Sequence, residues 1–279
     1  MENKWREFSE ACGTGDLELV KSLSEEFKGK GLVHFDTVMS PLLVAMKKNH
    51  HEISSFLLDC IKRGVVKFAL DMQDEEYYTA FQIACLTNNL QVVKGMMQIY
   101  LSMEAIDYWY FDPNLTFSNL QPTPFSFACM SGCAEVVKYL LGIDCIYEHE
   151  TMRRGTTPLM RACIAGHERI VEIFLRSDNV DFNVGDKNRQ TAFFHACKGG
   201  HTKIVSMMLN DFRVNPNIQD CNTESPLHML CRNNNLGLAK MLIDSGRMDV
   251  NMKTHHRMSP FDIALSKGYR EMTQLFIKT

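Results

Sequence analysis

Six cysteines of this chain fall at one recurring position: Cys12, Cys85, Cys129, Cys163, Cys197 and Cys231, each directly after an alanine or, once, a leucine. Aligned thiols suggest a metal site or disulfides. If the register is one of stacked helices, geometry opposes both. Neighbouring helices lie ~8–10 Å apart, whereas a disulfide needs Cα atoms within ~7 Å and a zinc–sulfur bond is ~2.3 Å long. One thiol per layer cannot converge, so these cysteines read as small hydrophobes filling a tight seam. His50-His51-Glu52 and Glu148-His149-Glu150 lack a helical i, i+4 histidine pair or a cysteine at ligand spacing. No nucleophile elbow or phosphate-cradling glycine loop is present. The expectation is a protein without enzymatic activity, metal or cofactor.

The elements that hold these residues repeat. Gly155 to Asp186 is one complete copy. Thr157-Pro158 starts a helix, with a hydroxyl cap and a proline at the first position, where its missing N–H is no loss. Leu159, Ala162 and Cys163 give it an apolar face, and Gly166 stops it. Ile170, Val171, Phe174 and Leu175 recur at helical spacing in a second helix, and a polar return follows from Asp178. The starting step recurs at Ser40-Pro41, Thr79-Ala80, Thr123-Pro124, Thr191-Ala192, Ser225-Pro226 and Ser259-Pro260, spaced by 34 residues from Thr123 onward. A small residue lies five positions on, at Ala45, Ala84, Ala128, Ala162, Ala196 and Ala264, with Leu230 the exception and Ala11 one period earlier. A third series, Gly15, Asn49, Asn88, Gly132, Gly166, Gly200, Asn234 and Gly268, uses the two residues that best tolerate a left-handed backbone. Three series agree on about eight units.

At these residues the chain resembles the ankyrin-repeat family, whose motif runs T-P-L-H-x-A-A-x-x-G-H with D-V-N in the return. Thr157-Pro158-Leu159, Ala162, Gly166-His167, Ser225-Pro226-Leu227-His228 and the 34-spaced Asn183, Asn217 and Asn251 carry the likeness, which covers roughly Glu7 to Ile277. The resemblance implies an all-α repeat solenoid of stacked helix-turn-helix units with short β-hairpin fingers. The tetratricopeptide shares the 34-residue period, but it lacks the proline start and a return as long as Asp211 to Thr223. The expected organisation is a single array over 1–279, with units near 4–36, 37–73, 74–117, 118–151, 152–185, 186–219, 220–253 and 254–279.

The first half departs from the period. Ser40 to Thr79 is 39 residues and Thr79 to Thr123 is 44. Ile53 to Ile61 prolong one second helix up to a stop at Gly64, and Val92 to Ile106 continue another. The ends read as caps: Trp5 and Phe8 cover one, and a polar last helix with Arg270, Glu271, Thr273, Gln274 and Lys278 closes the other. Met96, Met97, Met207, Met208 and Met241 read as second-helix core.

Net charge is −3, divided unevenly: residues 151–279 hold 18 Lys+Arg against 12 Asp+Glu, and residues 1–150 hold 12 against 21. That balance does not describe a nucleic-acid binder. The first residues lack the apolar core of a signal peptide, no run reaches the ~20 apolar residues of a membrane span, and ten cysteines imply reduced thiols. The expected address is the cytoplasm, with the nucleus open to it, and no membrane or nucleic-acid partner.

The family likeness carries partner-binding positions onto residues before each helix start and before each turn. They are Glu75, Glu76 and Tyr78; Arg153, Arg154, Thr156, Ile164 and Ala165; Lys187, Asn188, Gln190, Lys198 and Gly199; Glu224, Arg232 and Asn233; and His255, His256 and Met258. Arg189 replaces the usual finger glycine, which predicts a turn of different shape. Arg153, Arg154, Lys187, Lys198 and Arg232 make a basic strip suited to an acidic or phosphorylated segment. Trp109 and Tyr110, among Tyr108 to Phe111, offer aromatic anchors. The leading expectation is a protein-binding scaffold or adaptor; the alternative is a regulatory or inhibitory subunit that masks an enzyme or a nucleic-acid-binding protein. The chain is expected as a monomer, with head-to-tail self-association through its opposed charges as a further option.

Overall fold

The computed structural model describes residues 2–28, 40–65, 70–102, 113–114, 122–143, 146 and 155–277. Among these, helices come in short pairs: α1 (Glu2–Thr14) and α2 (Leu17–Phe27), α3 (Pro41–Lys47) and α4 (His51–Lys62), α5 (Ala80–Leu86) and α6 (Leu90–Ser102). They continue as α7 (Pro124–Met130) and α8 (Ala134–Leu141), α9 (Pro158–Ala165) and α10 (Glu168–Leu175), and α11 (Ala192–Gly199) and α12 (Thr202–Leu209). The last are α13 (Pro226–Arg232) with α14 (Leu236–Asp244) and α15 (Pro260–Ser266) with α16 (Arg270–Ile277). Two compact units result, Met1–Ala128 and Cys129–Thr279.

The first helix of each pair starts where the sequence predicts. Ser40, Thr79, Thr123, Thr157, Thr191, Ser225 and Ser259 each accept the N–H three residues on with their hydroxyl oxygen. Such a cap is worth about 0.5–2 kcal/mol. Gln82, His228 and Asp262 return a bond to the capping residue's own N–H, closing capping boxes. Each helix then ends in one stereotyped turn. All eight residues of the Gly/Asn series have φ between 55° and 87°. The residue after the turn donates to the carbonyl of the small residue, as from His50 to Ala45, His167 to Ala162, His201 to Ala196 and Tyr269 to Ala264, at 2.9–3.1 Å. This six-to-one bond takes up a carbonyl that the helix end leaves open.

Within each unit the helices make two layers. In the first unit α1, α3 and α5 pack in sequence, as do α2, α4 and α6; in the second, α9, α11, α13 and α15 form one layer, with α8, α10 and α12, and α14 with α16, behind it. The first layer is the seam. Ala45, Ala84, Ala128, Ala162, Ala196 and Ala264 have no exposed surface, and the six aligned cysteines are buried. Burial alone pushes the Cys12 and Cys231 thiols up to about 12. Phe81, Phe125, Phe174, Phe182, Phe193 and Phe194 are among the largest fully buried side chains, each contributing about 1.5–3 kcal/mol by leaving water.

The long second helices are present: α4 runs to Lys62 with Gly64 at φ 69° behind it, and α6 is described to Ser102, so Met103, Ile106 and the aromatic run lie outside the described residues. Trp5 and Phe8 are buried against Phe27 at 5.2 and 5.4 Å, with Lys4, Arg6, Glu7 and Glu10 exposed. Met96, Met97 and Met208 are fully buried, whereas Met207 and Met241 are only half-buried. In α16 Met272 alone is buried, while Ile277 is 74% exposed.

Candidate functional site

The segments between helix pairs carry the candidate positions, and aspartates build them. Asp74 Oδ1 accepts the N–H groups of Glu76 and Tyr78 at 2.9 and 2.8 Å. Asp186 does the same for Asn188 and Gln190, and Asp220 for Asn222 and Glu224. In the last finger Thr254 Oγ1 stands in for the carboxylate and accepts from Met258 at 3.3 Å. In all four the first residue also exchanges backbone bonds with the fourth and fifth, for example Arg189 N–H to Asp186 O at 2.7 Å and Asp186 N–H to Gln190 O at 3.0 Å. The fourth residue is left-handed each time: Tyr77 (φ 66°), Arg189 (60°), Thr223 (59°) and Arg257 (60°). This is a tight turn with a bulge residue in the left-handed region. The expected change of shape at Arg189 is therefore corrected: the aspartate and the two backbone bonds enforce the same turn without glycine. Strand pairing is limited to one isolated bridge, Gln73 with Thr79, among the described residues.

Fingers are strutted to the helices. Asp74, with 1% of its side chain exposed, meets Lys47 at 2.8 Å. Burial pushes the Asp74 carboxyl up, but the Lys47 ammonium and the N–H groups of Tyr78 and Glu76 bring it below the usual carboxylate range. Asp186 Oδ2 meets His195 Nε2 on α11 at 3.0 Å; burial holds His195 below the ordinary imidazole value against the pull of that carboxylate. Glu224 is paired with Arg232 on α13.

Adjacent fingers of the second unit are bonded to one another. Cys221 N–H donates to Asn188 O at 2.7 Å, and His255 N–H donates to Thr223 Oγ1 at 2.5 Å. Behind them an asparagine link repeats every 34 residues. Asn183 donates to Arg213 O and accepts from Asn215 N–H, both at 2.8 Å, and Asn217 does the same with Arg247 and Asp249 at 2.9 Å. Arg213 and Arg247 reach back to the preceding helix end: Arg213 donates to Leu175 O and Ser177 O, and Arg247 to Leu209 O, Asp211 O and Val214 O. Cations at a helix C-terminus complement its dipole. The sequence reading missed both arginines, although their 34-residue spacing was visible.

Of the candidate residues, Glu75, Glu76, Lys187, Asn188, Lys198, Arg232, His255 and His256 are exposed, as are the pre-turn pairs Ile164-Ala165, Lys198-Gly199 and Arg232-Asn233. Gln190, Glu224 and Met258 are half-buried, and Tyr78 sets its ring edge-on to Phe127 at 5.5 Å. Thr156 is only 6% exposed, so it lies beneath the finger surface. Arg232 is neutralised by Glu224, which interrupts the expected basic strip. Trp109, Tyr110, Arg153, Arg154 and the Glu148–Glu150 cluster lie outside the described residues. Among the described residues no group of three or more metal-ligating side chains gathers, and no helix is long and apolar enough to cross a membrane. His50, His167 and His201 instead reach back to carbonyls of the preceding turn, at Gly13, Met130 and Ile164.

Short helix pairs closed by left-handed turns, with strutted fingers at a fixed register, define an all-α repeat protein of the solenoid class. The family model for ankyrin repeats (three copies) matches residues 8–107, 99–186, 125–220, 173–245 and 212–279, and the chain belongs to that family. No curated protein matches the chain. Ankyrin repeats generally mediate protein–protein interaction, and this chain has their architecture.

Proposed function

We propose that the protein is a non-catalytic scaffold or adaptor that grips a protein partner through its finger turns and the exposed ends of its first-layer helices. One observation carries this reading: the fingers at 186–190, 220–224 and 254–258 keep one hydrogen-bonded backbone while presenting different exposed side chains. A fixed frame with variable tips is suited to recognition, because little order is lost on binding. The single-array organisation and the cytoplasmic address belong to the same proposal.

Crosslinking mass spectrometry on native extract tests it. Crosslinks from Lys187, Lys198 or Lys253 to one recurrent protein support the reading; crosslinks confined to the α10 and α12 surface would overturn it. Assaying the recovered partner with and without the chain then separates tethering from masking.

A further inference from the structure

The tips of three consecutive fingers have a charge and a backbone geometry that gripping in general does not require. Their left-handed residues are Arg189, Thr223 and Arg257, where Gly155 occupies the same register one finger earlier. L-residues are disfavoured there, but the side-chain and backbone bonds of each turn hold them, so these tips carry side chains where glycine would carry none. Lys187, Arg189 and Arg257 are exposed and form no ion pair among the described residues. The nearby acids turn inward: Asp186 onto His195, Asp220 onto the N–H groups of its own turn, and Glu224 onto Arg232. The cross-finger bonds from Cys221 to Asn188 and from His255 to Thr223 hold the three tips as one row. Cations therefore face outward on a braced edge with their local counter-charges spent elsewhere.

We propose that this row, Lys187–Arg189 to His255–Arg257, seats a carboxylate-rich extended segment of the protein partner. The proposal rests on the protein-binding reading above. With fingers ~10 Å apart and ~3.3 Å of rise per extended residue, about six or seven residues span the row, and alternate side chains meet it. Arginine forks suit carboxylates bidentately. Three cations, two on the first finger and one on the third, are too sparse for a nucleic-acid backbone, which carries a charge every few ångströms.

The test titrates the full chain into fluorescein-labelled peptides of seven glutamates or seven glutamines and into a seven-nucleotide oligothymidine. The double variant Arg189→Gly/Arg257→Gly is run in parallel. Glycine suits the turn, so the variant's melting temperature stays equal or rises. The glutamate peptide is expected to bind, to weaken with added salt, and to lose about tenfold or more in the variant. It should also slow alkylation of Cys221, which is exposed on the central tip. Equal binding of the two peptides, equal binding by wild type and variant, or preference for the oligonucleotide overturns the proposal. If the variant still crosslinks its partner undiminished, only this inference falls. If wild type crosslinks no partner through its fingers, the scaffold reading falls with it.

Discussion

His201 stands directly against Gly166 of the turn before it: a Cβ placed on Gly166 would lie 2.6 Å from His201 Cε1, while His201 Nε2 is 3.2 Å from Ile164 O. The same interlock joins His50 to Gly15 and His167 to Gly132. Where the following register position is Asn235, Gly200 has open space around its Cβ direction. The choice between glycine and asparagine at these turns thus answers to two demands, a left-handed backbone and room for the next histidine.

Substitution by asparagine separates the two. Gly200→Asn should cost at most about 1 kcal/mol, since asparagine holds the same left-handed turn, at φ 55–60°, at Asn49, Asn88 and Asn234. Gly166→Asn should cost about 1–3 kcal/mol more, because His201 is held by its bond to Ile164 O and must be displaced. Adding His201→Ala to Gly166→Asn should recover the steric part, giving a favourable coupling energy in a double-mutant cycle by urea denaturation. Additive costs would remove the interlock.

The repeat was legible because its rules are local. A hydroxyl-proline step, an alanine and a left-handed turn residue each act within one helix, so every copy displays them in sequence order. The finger turn at Arg189 departs from the expectation because glycine is not its determinant. Asp74, Asp186 and Asp220 three residues upstream do the fixing, and they were present in the sequence as a series. The pairing of Arg232 is not legible in the sequence for another reason. Its neutraliser, Glu224, lies eight residues away on a finger, and their meeting depends on how finger and helix approach.

Arg213 binds across repeats in a way that only a planar fork allows. It serves Leu175 O, Ser177 O and Asp211 together and stacks 4.8 Å above Phe182. Arg213→Lys keeps the charge but cannot reach both carbonyls and the carboxylate at once. The expected loss is about 1–3 kcal/mol in thermal or urea unfolding, whereas Lys203→Arg, on an exposed α12 ion pair, should change stability little.

Ala196 sits in the α9–α11–α13 seam with no exposed surface. Ala196→Leu adds volume that the neighbouring backbones must move to accept, at about 1–3 kcal/mol. Leu230 fills the same register one repeat later, so Leu230→Ala should leave a cavity and cost about 2–5 kcal/mol. An unchanged melting curve for either would mean that the seam is elsewhere.

His228 links acidity to stability. It is fully buried; Nδ1 accepts Ser225 N–H at 3.1 Å, so the proton is on Nε2, which donates towards Met252 O and Met258 O at 3.1 and 3.2 Å. Burial lowers its pKa below the ordinary imidazole value, outweighing the carbonyls that favour the cation. A second proton would place a donor on Nδ1 facing Ser225 N–H. With the folded value below the unfolded 6.5, the unfolded chain takes up the proton first. The contribution is therefore complete above pH 6.5 and is lost as pH falls through the folded value. His195, also lowered by burial, acts in the same direction. Gln82 fills the equivalent position in α5 and accepts Thr79 N–H through Oε1 at 2.9 Å, so His228→Gln should keep the cap and remove one titrating group. Stability measured by urea unfolding from pH 7.5 to 5.5 should decline less steeply in the variant than in the wild type; parallel declines would mean that His228 carries none of the dependence.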